Sequence, residues 1–269
     1  MSLLKRFSEN GANVSFVGAG NLAWHLAPAL DNTNFPVREV YSQTRKHAAA
    51  LADKLYQAEV RSSLDFSASS SRIFILAVSD DAIQEIAQEM ILPANAILVH
   101  TSGSQPLSIL GYAGTPNIGV LYPLQTFTKG QKVDFKEIPF FIESESEETE
   151  KVLMAMAKGI SKKVRKISSP DRKALHVAAV FASNFTNHML TIAEEILDEH
   201  GLDFELLKPL IAETMNKSIS IGPSHAQTGP AKRGDVEILD SHYAFLGKDK
   251  DLATIYQVIS QHIIDKYEK

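Results

Sequence analysis

The segment Val14-Ser15-Phe16-Val17-Gly18-Ala19-Gly20-Asn21-Leu22-Ala23 carries the strongest chemical signal in the chain. A short apolar strand runs into two glycines and then into a helix, giving G-x-G-x-x-A in the setting that grips a dinucleotide. Gly18 permits the tight turn. Gly20 lets the backbone approach a pyrophosphate with no Cβ in the way. Ala23 lets the helix pack close to the strand. The free N–H groups at the helix start then face the phosphates, helped by the helix dipole. The expected phosphate contacts are therefore Gly18, Ala19, Gly20, Asn21 and Leu22.

The second strand bears on which nicotinamide cofactor fits. An NAD site usually ends that strand in Asp or Glu, which holds the ribose 2′-OH. Glu39 lies at the usual spacing of about 20 residues, but Val40 and Tyr41 continue the strand beyond it. From Ser42 to Ala52 there is no acid; instead there are Ser42, Thr44, Arg45 and Lys46. Hydroxyls and cations suit a 2′-phosphate, so Ser42, Thr44 and Arg45 are expected to bind it and NADP is favoured over NAD.

Ligands of open α/β sheets sit outside the carboxyl ends of the strands. Two further strand ends qualify, placing Ala77, Val78 and Ser79 on one wall and Thr101, Ser102 and Gly103 on another. Asp80 and Asp81 read equally well as helix caps, and His100 as a satisfied strand-end histidine. Tyr122-Pro123-Leu124-Gln125-Thr126-Phe127 ends a further strand, with Gln125 as a substrate contact. Ser102-Gly103-Ser104 is not a nucleophile elbow, which argues against a hydrolase.

A polar stripe marks the later stretch KALHVAAVFASNFTNHML, residues 173–190. On a regular helix Ser183 and Asn187 lie within about 20° of His176, and Asn184 about 80° away. Apolar side chains surround them. His176 is the candidate proton donor for hydride transfer to a carbonyl or imine, with Asn184 as a second catalytic candidate and Asn187 as a substrate contact. A buried helix–helix contact would use the same stripe. In the loop at residues 223–234, Lys232 and Arg233 offer a clamp for a carboxylate or phosphate, or else a solvated turn before an N-cap at Asp235. No metal-ligand spacing appears, so no metal is expected.

These residues need a scaffold, and the pattern supplies one. Apolar runs at 14–17, 37–41, 73–78, 96–99, 118–121 and 139–142 alternate with helical stretches at 21–30, 44–55, 81–90 and 147–160. That order predicts an α/β fold, a Rossmann-type doubly wound and mostly parallel sheet. After Ser168-Ser169-Pro170 the pattern becomes helical throughout: 170–201, 203–221, 236–246 and 249–267. The expected division is a nucleotide-binding domain at 1–168 and an all-α domain for substrate and dimerisation at 169–269. Residues 1–168 carry 17 basic and 17 acidic side chains, and residues 169–269 carry 10 and 15, so the net −5 of the 269-residue chain lies in the second part. Net negative charge argues against nucleic acid. The absence of cysteine excludes disulfides, thiol nucleophiles and Cys-ligated metals. No apolar run approaches the roughly 20 residues that span a bilayer, and MSLLKRFSEN has no signal-peptide pattern. A cytoplasmic protein without membrane contact is expected. The segments 67–71 and 143–150 read as surface.

Taken together, VGAGNLA (17–23), VYSQTR (40–45), LAVSDDAI (76–83), HTSGS (100–104), YPLQTF (122–127) and QTGPAKRGD (227–235) resemble a bacterial family of oxidoreductase-like proteins. That family joins a Rossmann-like NADP-binding half to a C-terminal domain of unknown function, DUF2520. The architecture is similar to the 6-phosphogluconate-dehydrogenase-like superfamily. The resemblance implies an NADP(H)-dependent oxidoreductase acting on a small polar ketone, imine or hydroxy acid, and a homodimer through the helical domain. Gln43 stands where many relatives carry Arg, and no counterpart of the catalytic Lys of the β-hydroxyacid dehydrogenases is found. The alternative is a dinucleotide-binding regulatory or scaffold protein without turnover. Reduction of a deazaflavin partner rests on superfamily analogy.

Overall fold

The computed structural model describes residues 11–267. The segment MSLLKRFSEN, and the signal-peptide reading attached to it, lie outside the described residues. The strands are β1 Val14–Val17, β2 Val37–Tyr41, β3 Glu59–Val60, β4 Ile73–Leu76, β5 Ile97–His100, β6 Asn117–Pro123, β7 Phe140–Glu143 and β8 Val164–Lys166. They form one sheet in the order β3-β2-β1-β4-β5-β6-β7-β8. Pairing is parallel except where β7 runs antiparallel to β6. The chain order reverses beside β1, between β1 and β4, so the carboxyl ends of those strands open onto a crevice.

Alternate residues of each central strand serve opposite faces, as a period of two requires. Val14, Phe16, Ile73, Ile75, Ile97 and Val99 pack on one face. They meet α1 (Asn21–Asp31), α2 (Arg45–Ala52) and α4 (Glu147–Lys158). Val17, Phe74, Leu76 and Leu98 pack on the other face, against α3 (Ile83–Glu89), Phe66 and Met90. Helix α1 buries Ala23, Leu26, Ala27 and Leu30, the i, i+3, i+4, i+7 stripe of an amphipathic helix. A helix should kink or stop at an internal proline, yet α1 continues past Pro28 to Asp31. The Asn32 side chain donates to the Pro28 carbonyl at 2.7 Å, satisfying a group of the last turn.

The second half of the chain opens with α5 (Ser169–Ala179). The Ser168 hydroxyl accepts from Asp171 N–H as the N-cap, worth about 1 kcal/mol, and Pro170 sits in the first turn. A π-helical turn, Val180–Phe185, separates α5 from α6 (Thr186–Asp198). Helices α7 (Lys208–Ile221), α10 (Val236–Leu246) and α11 (Lys250–Tyr267) follow. The segment read as a plain loop at 223–234 contains two helical turns, α8 (Pro223–Ala226) and α9 (Pro230–Arg233). Each starts on a proline after a glycine of positive φ, Gly222 and Gly229. The chain forms two compact units, one up to His188 and one from Met189. Among the described residues no helix is long and apolar enough to cross a membrane.

Two segments read as surface, 67–71 and 143–150, are so only in part. Ser71 is fully buried and Ser69 nearly so. Glu143 pairs with the fully buried Arg172, whose guanidinium also reaches the Gln105 carbonyl. The same carboxylate accepts from Ser169 N–H at 2.9 Å and from its hydroxyl. Arg172 Nε has no partner. This knot ties the start of α5 to β7.

Candidate functional site

The glycine turn is shaped by two different constraints. Gly18 has φ +106°, and a Cβ there would lie 2.2 Å from the Ala77 carbonyl oxygen, so no other residue fits. Gly20 is extended at φ −76°, ψ −169°, with nothing within 4 Å of its Cβ position. The first constraint belongs to the fold. The second leaves room above a helix start. Gly20 is the N-cap of α1 and supplies no side-chain cap, and the first turn contains no acid. Its leading N–H groups are thus open to an anion.

A cleft of 740 Å³ lies at this turn. Gly18, Ala19, Gly20, Asn21 and Leu22 form one side. Ala77, Val78, Ser79 and Thr101 come from the ends of β4 and β5, and Ser42 with Gln43 from the end of β2. The structure therefore brings ten of the expected cofactor residues to one cleft. Thr44 and Arg45 do not line it: Thr44 is the N-cap residue of α2 and Arg45 stands exposed in the first turn. Ser102 and Gly103 lie outside the lining as well. The Ser102 hydroxyl accepts from the N–H groups of Ser104 and Gln105. Asp81, which belongs to the strand-end run at 77–81, borders the cleft together with Glu85 and Glu89 of α3, which the sequence pattern did not single out. The Asp81 carboxyl is held below its usual range by the Ser79 side chain and by backbone N–H groups.

Glu39, at the spacing of a ribose-binding acid, is buried within the sheet. It accepts from Ser15 at 2.6 Å and from Ser69, and Arg61 stands 3.6 Å away. No carboxylate therefore ends β2, where an NAD site would place one. A glycine with space above it, an uncapped helix start and an acid-free β2 end together fit a phosphorylated dinucleotide.

A second cavity, 440 Å³, lies at the end of β6 beside α5 and the π turn. Tyr122, Gln125, Thr126, His176, Ser183 and Asn184 supply its polar groups, and leucines, alanines and Val180 its apolar wall. A mostly apolar pocket with a few placed polar groups suits a small molecule. The Tyr122 hydroxyl lies 2.9 Å from His176 Nδ1. Burial raises the pKa of the phenol, against a smaller opposing influence of Arg172. The His176 ring rests on Gly103, where a Cβ would come within 2.4 Å of Nδ1. Thr101 lines the first cavity and Gly103, two residues on, carries the histidine of the second, so one loop serves both. Asn187 lies outside this lining. The π turn adds a residue to the helical repeat between His176 and Asn187, and the regular 100° spacing breaks there. The Gln125 side-chain Oε1 accepts from Thr126 N–H at 2.9 Å.

His100 is fully buried, and its Nδ1 accepts from Ser102 N–H at 3.2 Å. Burial, reinforced by Arg172, lowers its pKa to about 3, so it is a neutral structural histidine that braces the 101–103 loop. The clamp expected of Lys232 and Arg233 is engaged locally. Lys232 Nζ donates to the Gln227 carbonyl at 2.7 Å and lies over the Tyr267 ring. Arg233 pairs with Asp235 at 2.7 Å. Asp235 stands at the N-cap position of α10 without a side-chain cap bond, because its carboxylate takes Arg233 instead. Among the described residues no cluster of three potential metal ligands occurs.

Sequence reasoning missed Lys129 and undervalued Tyr122. Lys129 donates to the Ala19 carbonyl at 3.1 Å across a sequence separation of 110 residues, and no local pattern announces it.

Residues 13–103 match the family described as NADP oxidoreductase coenzyme F420-dependent, and residues 138–263 match the domain of unknown function DUF2520. The putative NADP oxidoreductase BF3122 of Bacteroides fragilis is 39% identical, with a TM-score of 0.84 over 94% of this chain and 98% of its own. Protein TM1727 of Thermotoga maritima is 24% identical, with a TM-score of 0.69 over 95% and 98%. A reductive aminase of Aspergillus terreus, solved with NADPH and ethyl-5-oxohexanoate, shares the fold at 11% identity and a TM-score of 0.68 over 95% and 94%. No curated protein matches. With its glycine-turn cleft, its acid-free β2 end and this likeness along nearly its whole length, the chain belongs to the NADP oxidoreductase family of the Bacteroides fragilis protein, with NADP as its cofactor.

Proposed function

We propose that the protein is a cytoplasmic NADPH-dependent reductase of a small polar ketone or imine, running in reverse on the corresponding hydroxy acid or amine. The observation that carries this reading is the His176–Tyr122 pair, seated on Gly103 and bordering the 440 Å³ cavity. Bound NADPH supplies the hydride. With Nδ1 tied to the Tyr122 hydroxyl, Nε2 is the nitrogen that hands over a proton; in doing so the ring passes from imidazolium to neutral imidazole, and solvent restores the proton. His176 is then the donor that completes reduction of a carbonyl or imine, and Asn184 and Ser183 orient the substrate's polar groups. Gly20, Asn21 and Leu22 would hold the phosphates, and Ser42, which lines the cleft, would meet the 2′-phosphate, with Thr44 and Arg45 next to it in the chain but outside the lining.

The test is oxidation of NADPH by the purified protein against a panel of keto acids, imines and a deazaflavin. Turnover with one carbonyl or imine class, falling at least about 100-fold in His176→Gln with NADPH affinity kept, is the expected result. NADPH binding without consumption by any member would instead mark a nucleotide-binding protein without turnover.

The helical region also reads as half of a homodimer. From Met189 on, Ala231 and Ala253 are the buried hydrophobics among the described residues. Leu206, Leu210, Ile219, Val236, Phe245 and Val258 are all more than half exposed. Apolar surface on this scale marks an interface. Light scattering at micromolar concentration should give twice the 29.6 kDa chain mass; a monomer would contradict it.

A further inference from the structure

Residues 124–134 leave β6 and cross to helix α1 as a strap. Its anchors are specific. His25 Nε2 lies 2.9 Å from the Thr128 carbonyl. A ladder of rings, His25 to Phe127 (5.9 Å), Phe127 to Phe135 (5.9 Å) and Phe135 to Phe140 (6.0 Å), runs from α1 back into the sheet. Midway along the strap stands Lys129, whose ammonium donates to the Ala19 carbonyl at 3.1 Å and sits 4.9 Å from the centre of the Trp24 ring. Ala19 lies between the two glycines of the dinucleotide turn.

This places a cation beside the positive end of a helix dipole. No acid occupies the first turn of α1, and among the described residues no carboxylate forms an ion pair with Lys129. Two positive features converge with only a neutral carbonyl between them. The Trp24 face and the aromatic ladder hold the ammonium there. Such an arrangement is completed by an anion.

The geometry points to Lys129 as a phosphate-binding residue of the NADP site, one that exchanges the neutral Ala19 carbonyl for an oxygen of the pyrophosphate. The inference rests on the NADP assignment. It separates two recognition tasks: the β2 end deals with the 2′-phosphate, and the strap deals with the bridge common to all dinucleotides.

Calorimetric titration tests it without any substrate. The ligands are NADPH, 2′-phospho-ADP-ribose, which keeps the pyrophosphate, and 2′-AMP, which lacks it. Lys129→Met should weaken the first two about tenfold, the size of one charge-assisted hydrogen bond, and leave 2′-AMP unchanged. Lys129→Arg should keep most of the affinity. Lys54→Met, which removes the other ammonium at Trp24, should bind NADPH as the unsubstituted protein does. Unaltered thermal melting of Lys129→Met would show that the fold is intact. Full NADPH affinity in Lys129→Met would overturn the inference, as would equal loss of 2′-AMP or equal loss in Lys54→Met. Failure of the unsubstituted protein to bind NADPH would overturn the cofactor assignment, and this inference with it.

Discussion

The two glycines of the nucleotide turn should fail in different ways when each is given a methyl group. At Gly18 the added Cβ meets the Ala77 carbonyl oxygen at 2.2 Å, its carbon at 2.7 Å and Val78 Cγ1 at 3.0 Å, all at φ +106°. The conformational penalty is about 1–2 kcal/mol, and moving a strand-end backbone aside adds about 1–3 kcal/mol. Gly18→Ala should therefore destabilise the α/β unit by about 3 kcal/mol, a fall of roughly 6–12 °C in its melting temperature. At Gly20 the backbone is one that alanine adopts and the space is empty. Gly20→Ala should leave stability within about 0.5 kcal/mol. Its methyl stands where a phosphate must approach. Losing two charge-assisted bonds at about 1.5–3 kcal/mol each should weaken NADPH binding at least about 100-fold. Differential scanning calorimetry and calorimetric titration measure the two quantities on the same samples. A Gly20→Ala variant that binds NADPH normally would refute the reasoning, because the space above Gly20 would then not be the phosphate site.

Three further outcomes follow from the same contacts. His100 refuses in the fold a proton that it accepts when unfolded, its pKa falling from 6.5 to about 3. The unfolded chain therefore binds more protons, and stability should drop by about 1.4 kcal/mol per unit as pH falls below 6.5. Urea titrations from pH 7 to 4 should show that slope reduced in His100→Asn; identical slopes would contradict it. Gly103→Ala would press a Cβ against His176 Nδ1 and Tyr122 Cζ, at 2.4 and 2.9 Å. Once a substrate is in hand, turnover should fall about 100-fold with NADPH affinity retained; unchanged turnover would remove His176 from the chemistry. Arg172→Met strands a largely buried Glu143 and should cost about 3 kcal/mol in chemical denaturation. Adding Glu143→Gln should recover part of it, and additive losses would show that the pair is not coupled.

The scaffold was largely legible because its central strands are buried on both faces. Continuous apolar runs such as Ile73 to Leu76 admit few other readings. β3 and β8 escaped because they are two and three residues long and end in charged or half-exposed side chains. The glycine turn was legible because its chemistry is local. The ribose-side argument was legible only in part: Tyr41 showed that the strand outruns Glu39, but the serines that bury that carboxylate come from residues 15 and 69. Arg172 lay in the first turn of a helix and no motif singled it out, and its partner Glu143 sat in a run of acids that looked like surface. Both were hidden because burial of a charge depends on a partner 29 residues away. The stripe of 173–190 was read at a uniform 100° per residue. That spacing held as far as Ser183 and Asn184, which line the cavity with His176, and failed beyond the widened turn.

That turn, Val180–Phe185, has a consequence in terms of chain length. A π turn is one residue more than an α-helix needs, so it behaves as a single-residue insertion absorbed without a loop. Deleting Ala182 would let the segment close into regular helix. The stretch from Thr186 onward would then keep its face relative to α5, because the widened turn already takes up the extra residue, whereas an insertion not absorbed in this way would turn it by about 100°. A deletion elsewhere in the sheet unit would be repaired at a loop. Here the widened turn absorbs it, which makes residues 180–185 a place inside a helix where this chain can lose one residue without a change of direction.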